Sequence, residues 1–175
     1  MTHLNHANAA VQYCAYCGAP LELRERFGKL RPVCVGCGHT VFFDPKVAVV
    51  AFVTQREQVL LVKRLNEPGR GKWALPAGFV DADEDPQVAV CRETEEETGV
   101  RIAADAILDV LHRPDREGLA DIIIAYAAHP VGGALCAGDD ADEAAWFAID
   151  QLPEIALTTT ERLIARWQAG DLQRH

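Results

Sequence analysis

The stretch from Gly78 to Val100 constrains this chain more than any other. Asp85 followed by Pro86 predicts a helix start, because an Asp side chain accepts from the free N–H groups of a first turn and Pro tolerates the first helical position. Gly99 predicts its end, since glycine takes the left-handed conformation of a helix C-terminus without steric cost. The helix then runs over Pro86–Thr98, and Glu93, Glu96 and Glu97 fall at i, i+3 and i+4 on one face. Like charges at that spacing cost roughly 0.2–0.5 kcal/mol per pair, and here they crowd the negative end of the helix dipole. Most acidic runs are solvated faces that carry this cost in water. The other reading is a cation: a hard ion such as Mg²⁺ takes carboxylate oxygens and completes its shell with substrate phosphates.

The spacing of the whole stretch favours the cation. It resembles the Nudix box, Gly-x5-Glu-x7-Arg-Glu-U-x-Glu-Glu-x-Gly-U with U apolar. Gly78, Glu84, Arg92, Glu93, Glu96, Glu97, Gly99 and Val100 all fall on that pattern. The departure is Thr94 at the first apolar position, where its methyl can still face a sheet. Upstream, Trp73-Ala74-Leu75-Pro76-Ala77 is similar to the strand that leads Nudix chains to the metal site, with Ala77 where Gly is common. The resemblance implies Mg²⁺ (or Mn²⁺) on Glu93, Glu96, Glu97 and the Ala77 carbonyl, and a charge pair of Arg92 with Glu84 that fixes the loop against the helix. It implies water attack on a phosphoanhydride, with Glu143 as general base and Glu96 or hydroxide on the metal as alternatives. Arg64, which ends a strand on a charge, is the candidate for a substrate phosphate. Phe79 is the candidate for stacking on a base, with Phe43 and Trp73 as alternatives.

Cysteine usage divides the chain. Cys14-Ala-Tyr-Cys17-Gly18 and Cys34-Val-Gly-Cys37-Gly38 are two knuckles separated by sixteen residues, and together they supply four thiolates for a closed, tetrahedral, structural Zn²⁺ site. A pair of disulfides is the alternative; nothing in Met1–Gln12 has the basic-then-apolar pattern that would direct the chain to an oxidising compartment. The expectation is a cytoplasmic protein. Leu21–Leu23 and Leu30–Val33 would be the short hairpin strands of this ribbon. Its Arg24, Arg26, Lys29 and Arg31 against Glu22 and Glu25 leave a net +2, too mild for a DNA-reading surface. His39 follows the second knuckle and is expected at the surface or beside the metal site, with replacement of a Cys ligand as the alternative; His3 and His6 are expected as solvated tail residues, with metal binding as the alternative.

The formal charge of −9 over 175 residues argues against broad binding to nucleic acid or anionic membrane, and eight of the acids lie between Asp81 and Glu97. The apolar runs Val47–Val53 and Ile122–Ala128 are too short to span a bilayer. They read instead as strands: Val47–Thr54 buried on both faces, Val59–Arg64 its partner, then Ile102–Leu111, Ala120–Ala128 and Glu143–Phe147. His129–Asp139 reads as a loop, and Thr158-Thr159-Thr160-Glu161 as a capping box opening a last helix whose apolar face is Leu163, Ile164 and Trp167. The strand Glu143-Ala-Ala-Trp146-Phe147 and the turn Asp150-Gln-Leu152-Pro153 again resemble the Nudix fold.

The whole chain therefore resembles a zinc ribbon followed by a Nudix hydrolase. The expected class is α+β, an α/β/α sandwich with a mixed sheet and a small N-terminal ribbon. Residues 1–12 would be a tail, 13–43 the ribbon, 44–170 the Nudix domain and 171–175 a tail. The implied substrate is a small-molecule dinucleotide of the FAD, ADP-ribose or NADH class, and related enzymes are commonly homodimers. Pro114 lies near where ADP-ribose-cleaving members carry a proline. A nucleic-acid-binding or regulatory protein that uses the Nudix fold as a nucleotide sensor is the competing reading.

Overall fold

The computed structural model describes residues 11–112 and 120–171; His3, His6, Pro114 and residues 172–175 lie outside the described residues. The chain divides between Asp44 and Pro45 into two compact units.

In the smaller unit, β1 (Leu21–Arg26) and β2 (Lys29–Cys34) pair antiparallel, from Leu21↔Cys34 to Arg26↔Lys29. The two knuckles flank this hairpin. Cys14 Sγ lies 3.7 Å from Cys37 Sγ and Cys17 Sγ 3.4 Å from Cys34 Sγ, and all four sulfurs lie within 4.8 Å of one another. A Zn–S bond of about 2.3 Å places the sulfurs of a tetrahedral site about 3.8 Å apart, so the four thiolates fit such an ion. The Cys37 N–H, foremost, and the Gly36 N–H donate to Cys34 Sγ and lower its thiol, against the raised thiol of the neighbouring Cys37. All six cysteines are free of disulfides.

The larger unit is built on its first strand. β3 (Val47–Gln55) turns at Arg56 into β4 (Gln58–Arg64), followed by the short strands β5 (Trp73–Ala74) and β6 (Ala77–Phe79). Helix α1 (Pro86–Thr98), β7 (Val100–His112), β8 (Ile122–Gly133), β9 (Ala141–Ala148) and α2 (Thr158–Gln168) complete it. The seven-stranded sheet has the order β5-β4-β3-β8-β7, with β6 on β3 and β9 on β4. It is mixed: β3 runs parallel to β8 and antiparallel to β4 and β6. β3 and β4 pair only near their turn, at Thr54↔Val59 and Gln55↔Gln58, and then diverge into a fork. Among the described residues no helix is long and apolar enough to cross a membrane.

Alternation along β3 explains its double burial. Val49, Ala51 and Val53 pack with Ala89 and Val90 of α1, while Val50 and Phe52 pack with Leu163, Ile164 and Trp167 of α2. The sheet is thus the middle layer of an α/β/α sandwich. Each fully buried aliphatic side chain contributes about 1.5–3 kcal/mol of hydrophobic stabilisation. Trp167 meets Phe52 edge-on, with ring centroids 5.5 Å apart. Arg162 and Arg166 clamp Asp109 of β7 at 3.2 and 3.0 Å, which ties α2 to the far edge of the sheet.

Two expectations are corrected. The loop expected over His129–Asp139 begins later, because β8 continues to Gly133. Its pairing with β3 stops at Ala128, so beyond that point it has one neighbour only, and Pro130 lacks an N–H on a strand that has spare valence there. The capping box does not form. Thr158 is already the first helical residue, Leu157 is the N-cap, and no side chain caps the turn. Thr160 is buried, and its hydroxyl instead accepts from the Leu75 N–H at 3.2 Å.

Because the ribbon's own core is small, a Zn²⁺ ion on the four cysteines would supply much of its folding energy. Stripping Zn²⁺ with a chelator should abolish amide-exchange protection across β1 and β2 and leave protection of β3 and β8 in place. Unchanged protection of β1 and β2 in metal-free protein would show that the four thiolates are not what holds the ribbon.

Candidate active site

Helix α1 forms as its local chemistry dictates. The Asp85 side chain accepts from the Gln87 N–H at 2.7 Å, Pro86 opens the first turn, and Gly99 closes the helix at φ 67°. Thr94 is fully buried, and its hydroxyl returns to the Val90 carbonyl at 2.7 Å, so its methyl takes the place of an apolar residue.

Arg92 organises the acids around it. Nε and Nη2 grip the two oxygens of Glu84 at 2.8 Å each, Nη1 donates to Glu93 and to Glu96 at 2.9 Å each, and Nη2 reaches the Phe79 carbonyl at 3.2 Å. The forked, planar guanidinium is suited to this; a point-charge ammonium is not. Arg92 holds the Glu84 carboxyl below its ordinary range. Glu93 lies over Gly78 so closely that a Cβ there would fall 1.9 Å from the Glu93 carboxyl carbon. That contact is why glycine stands at this position.

Two carboxylates face inward. Glu97 is 8% exposed and accepts from the Ala77 N–H at 3.0 Å. Burial, foremost, pushes its carboxyl up to about 8, with the negative charge of Glu93 adding and the Ala77 N–H and Arg64 opposing. Glu93 is raised as well, again chiefly by burial, with Arg92 opposing. Both line a cavity of about 550 Å³ in the fork between β3 and β4. Arg64, the Ala77 backbone, Asp139 and Asp140 give it a polar end; Phe79, Ala48, Val50, Leu75, Ile123 and Leu157 give it an apolar wall. Two desolvated carboxylates beside an open cavity form a donor set that fits a hard divalent cation.

The expected site residues divide. Glu93, Glu97, Ala77, Arg64 and Phe79 meet at the cavity. Arg64 also donates from Nε to the Pro68 carbonyl at 2.8 Å, and Lys46 Nζ sits 5.6 Å from the Phe79 ring. Glu96 is turned onto Arg92, with its side chain about half exposed, and is not part of the lining. Trp73 packs edge-on against Phe147 at 4.7 Å and belongs to the core, and Phe43 belongs to the smaller unit. Glu143 lies on β9 opposite Lys63 and is held by its ammonium at 2.6 Å, outside the cavity lining. Strand alternation places it there.

Asp139 and Asp140 line the cavity as well, and no motif in the sequence singles them out. They sit in the loop before β9, and that loop is fastened to the end of α1. The Gly138 N–H donates to the Glu97 carbonyl at 3.1 Å and the Cys136 N–H to the Thr98 carbonyl at 2.9 Å, satisfying two carbonyls that a helix end leaves open. The Asp140 carbonyl accepts from the Leu65 N–H at 3.2 Å. In the sequence they show only as an acid pair after a glycine, Gly138-Asp139-Asp140.

Comparison with known proteins shows the family and the fold. The family model described as NUDIX domain matches residues 44–168. The chain is 38% identical over 136 residues to an ADP-ribose pyrophosphatase of Methanocaldococcus jannaschii, covering 75% of this chain and 80% of that protein. It is 28% identical over 156 residues to the NAD-capped RNA hydrolase NudC of Pseudomonas aeruginosa, covering 89% of this chain but only 53% of that one, so it spans about half the length of this relative. The crystal structure of a NUDIX hydrolase from Nitrosomonas europaea shares the fold at a TM-score of 0.83 and 27% identity, over 94% of this chain and 97% of the other. The chain belongs to the Nudix family. It is a Nudix hydrolase, with four clustered cysteines that fit a small zinc ribbon ahead of the catalytic domain.

Gly78→Ala should displace Glu93 and lower kcat by about 100-fold or more, since small misplacements of reacting groups cost that much; near-normal kcat would show that Glu93 need not lie there. The buried Glu97 gives a pH signature in metal-free protein. Its folded value near 8 exceeds the ordinary 4.5, so its favourable contribution is full below about 4.5 and is lost as pH rises through 8. The stability of wild type relative to Glu97→Gln, from urea unfolding, should fall across that window by up to ~1.4 kcal/mol per pH unit. A pH-independent difference would mean an ordinary, solvated carboxylate.

Proposed function

We propose that this chain hydrolyses the pyrophosphate bond of a nucleoside diphosphate linked to a second group, of the ADP-ribose, FAD or NADH class, and releases a nucleoside monophosphate with Mg²⁺ as the metal. The observation that carries this reading is a pair of carboxylates, the buried Glu97 and the partly buried Glu93, facing a cavity that also holds Arg64. The names of the relatives, an ADP-ribose pyrophosphatase and an NAD-capped RNA hydrolase, support a dinucleotide-like substrate. The cavity of about 550 Å³ suits a small ligand.

Glu93 and Glu97, with the Ala77 carbonyl, would hold the metal. Bound there, it would neutralise diphosphate charge and make water a better nucleophile. Arg64 holds a non-bridging phosphate oxygen from the cavity lining it shares with Glu97. Phe79 and the apolar wall of Val50, Ile123 and Leu157 receive the less polar part of the substrate. The proton of the attacking water goes to the Asp139–Asp140 pair, which lines the cavity, whereas Glu143 would have to leave a 2.6 Å ion pair with Lys63. Arg92, which Glu84 and Glu96 hold in turn, positions Glu93.

The test is release of monophosphate from ADP-ribose, FAD and NADH with Mg²⁺. Glu97→Gln should lower kcat by about 100-fold or more. Asp139→Asn with Asp140→Asn should lower it by about 10²–10⁴, the range of a lost general base. Glu143→Gln should stay within a few-fold. Tight binding of these compounds with no turnover would favour the nucleotide-sensor reading, and a large loss in Glu143→Gln alone would return the base role to that residue.

A further inference from the structure

The ribbon's net charge of +2 hides how its charges are placed. In the β1–β2 hairpin, residues directly opposite one another share a face, and the register sets Arg24 opposite Arg31 and Arg26 opposite Lys29. All four cations of the ribbon therefore lie on one face, in two cross-strand pairs of like charge, an arrangement that destabilises a hairpin. Only Arg24 is neutralised, by Glu22 at 3.0 Å. Arg26, Lys29 and Arg31 make no ion pair among the described residues, and the buried Nε of Arg31 has no hydrogen-bond partner.

Aromatic rings accompany these cations. The Arg31 guanidinium lies 4.7 Å from the centre of the Phe42 ring, and Phe42 lies 5.9 Å from Phe27. Phe27 occupies the hairpin tip at φ 53° and is 78% exposed. A bulky residue is disfavoured in that conformation, where Asn or Gly is usual, and burial does not repay it. Five of the nine Phe and Tyr residues of the chain fall in this small unit, Tyr13, Tyr16, Phe27, Phe42 and Phe43, and all five are exposed.

We propose that this face binds a single strand of nucleic acid, with phosphates on Arg24, Arg26, Lys29 and Arg31 and bases stacked on Phe27 and Phe42. An acidic peptide would match the cations but would leave the rings in water; a polynucleotide offers both phosphate charge and flat π-faces. A duplex hides those faces and is the poorer match.

The experiment is fluorescence anisotropy of the full-length, zinc-loaded protein with a 12-nucleotide, 5′-hydroxyl RNA of mixed sequence. That probe has no diphosphate for the catalytic cavity to grip. Binding should weaken with salt, with a slope of log K against log salt of about −2 to −3 for four phosphate contacts. Phe27→Ala should weaken it about 10-fold, the cost of one lost stacking platform. The exposed pair Arg26→Gln and Lys29→Gln, which needs no repacking, should flatten the salt slope by about 1.4. Turnover of a small dinucleotide should be unchanged in both variants, so failure here leaves the catalytic reading untouched. The proposal is overturned if the RNA does not bind at low salt, if both variants bind as wild type, if polyglutamate of equal charge displaces the RNA, or if duplex binds as tightly as single strand.

Discussion

The guanidinium of Arg92 is the interaction on which the site depends. Glu84, Glu93 and Glu96 would repel one another if left to themselves, and two of them are largely removed from water. One planar fork satisfies all three and also reaches the Phe79 carbonyl. The loop between β6 and α1 is thereby fastened to the helix, and Glu93 is turned over Gly78 toward the cavity. Glu97 needs no such partner, because the Ala77 N–H of β6 holds it. The carboxylates thus keep a geometry that their mutual repulsion opposes.

The sheet supplies the space for them. β3 and β4 stay paired only at their turn, and the cavity occupies the fork they leave. β3 is anchored on both faces by the two cores, so the fork's wall is rigid. The loop before β9 is fastened to the open carbonyls of α1, and it brings Asp139 and Asp140 to the cavity that the glutamates line. A helix terminus that needs partners and a site that needs further acids are served by one segment.

What was legible in the sequence was local. The bounds of α1 follow from Asp85, Pro86 and Gly99, because capping is chemistry between near neighbours. The Cys knuckles, the apolar runs of β3 and β8 and the box spacing are of the same kind. What escaped depended on distant partners. The extension of β8 past Pro130 rests on where β3 stops pairing, and the failed Thr158 cap rests on the Leu75 N–H that takes the Thr160 hydroxyl. Glu143 was placed at the site from a resemblance, but its facing is set by cross-strand pairing with Lys63. In the ribbon, composition gave a mild average charge, and only the strand register shows that the four cations share a face.

The central claim is that Glu93 and Glu97, held in place by Arg92 and Ala77, form a divalent-cation site. Calorimetric titration of Mn²⁺ into wild type, Glu93→Gln and Glu97→Gln at pH 7 tests it most directly. The account predicts at least 10-fold weaker binding in each variant, and a proton released on binding in wild type that is missing in Glu97→Gln, because a carboxyl near 8 must give up its proton to take the ion. Equal affinity in all three proteins, with no proton release, would contradict it.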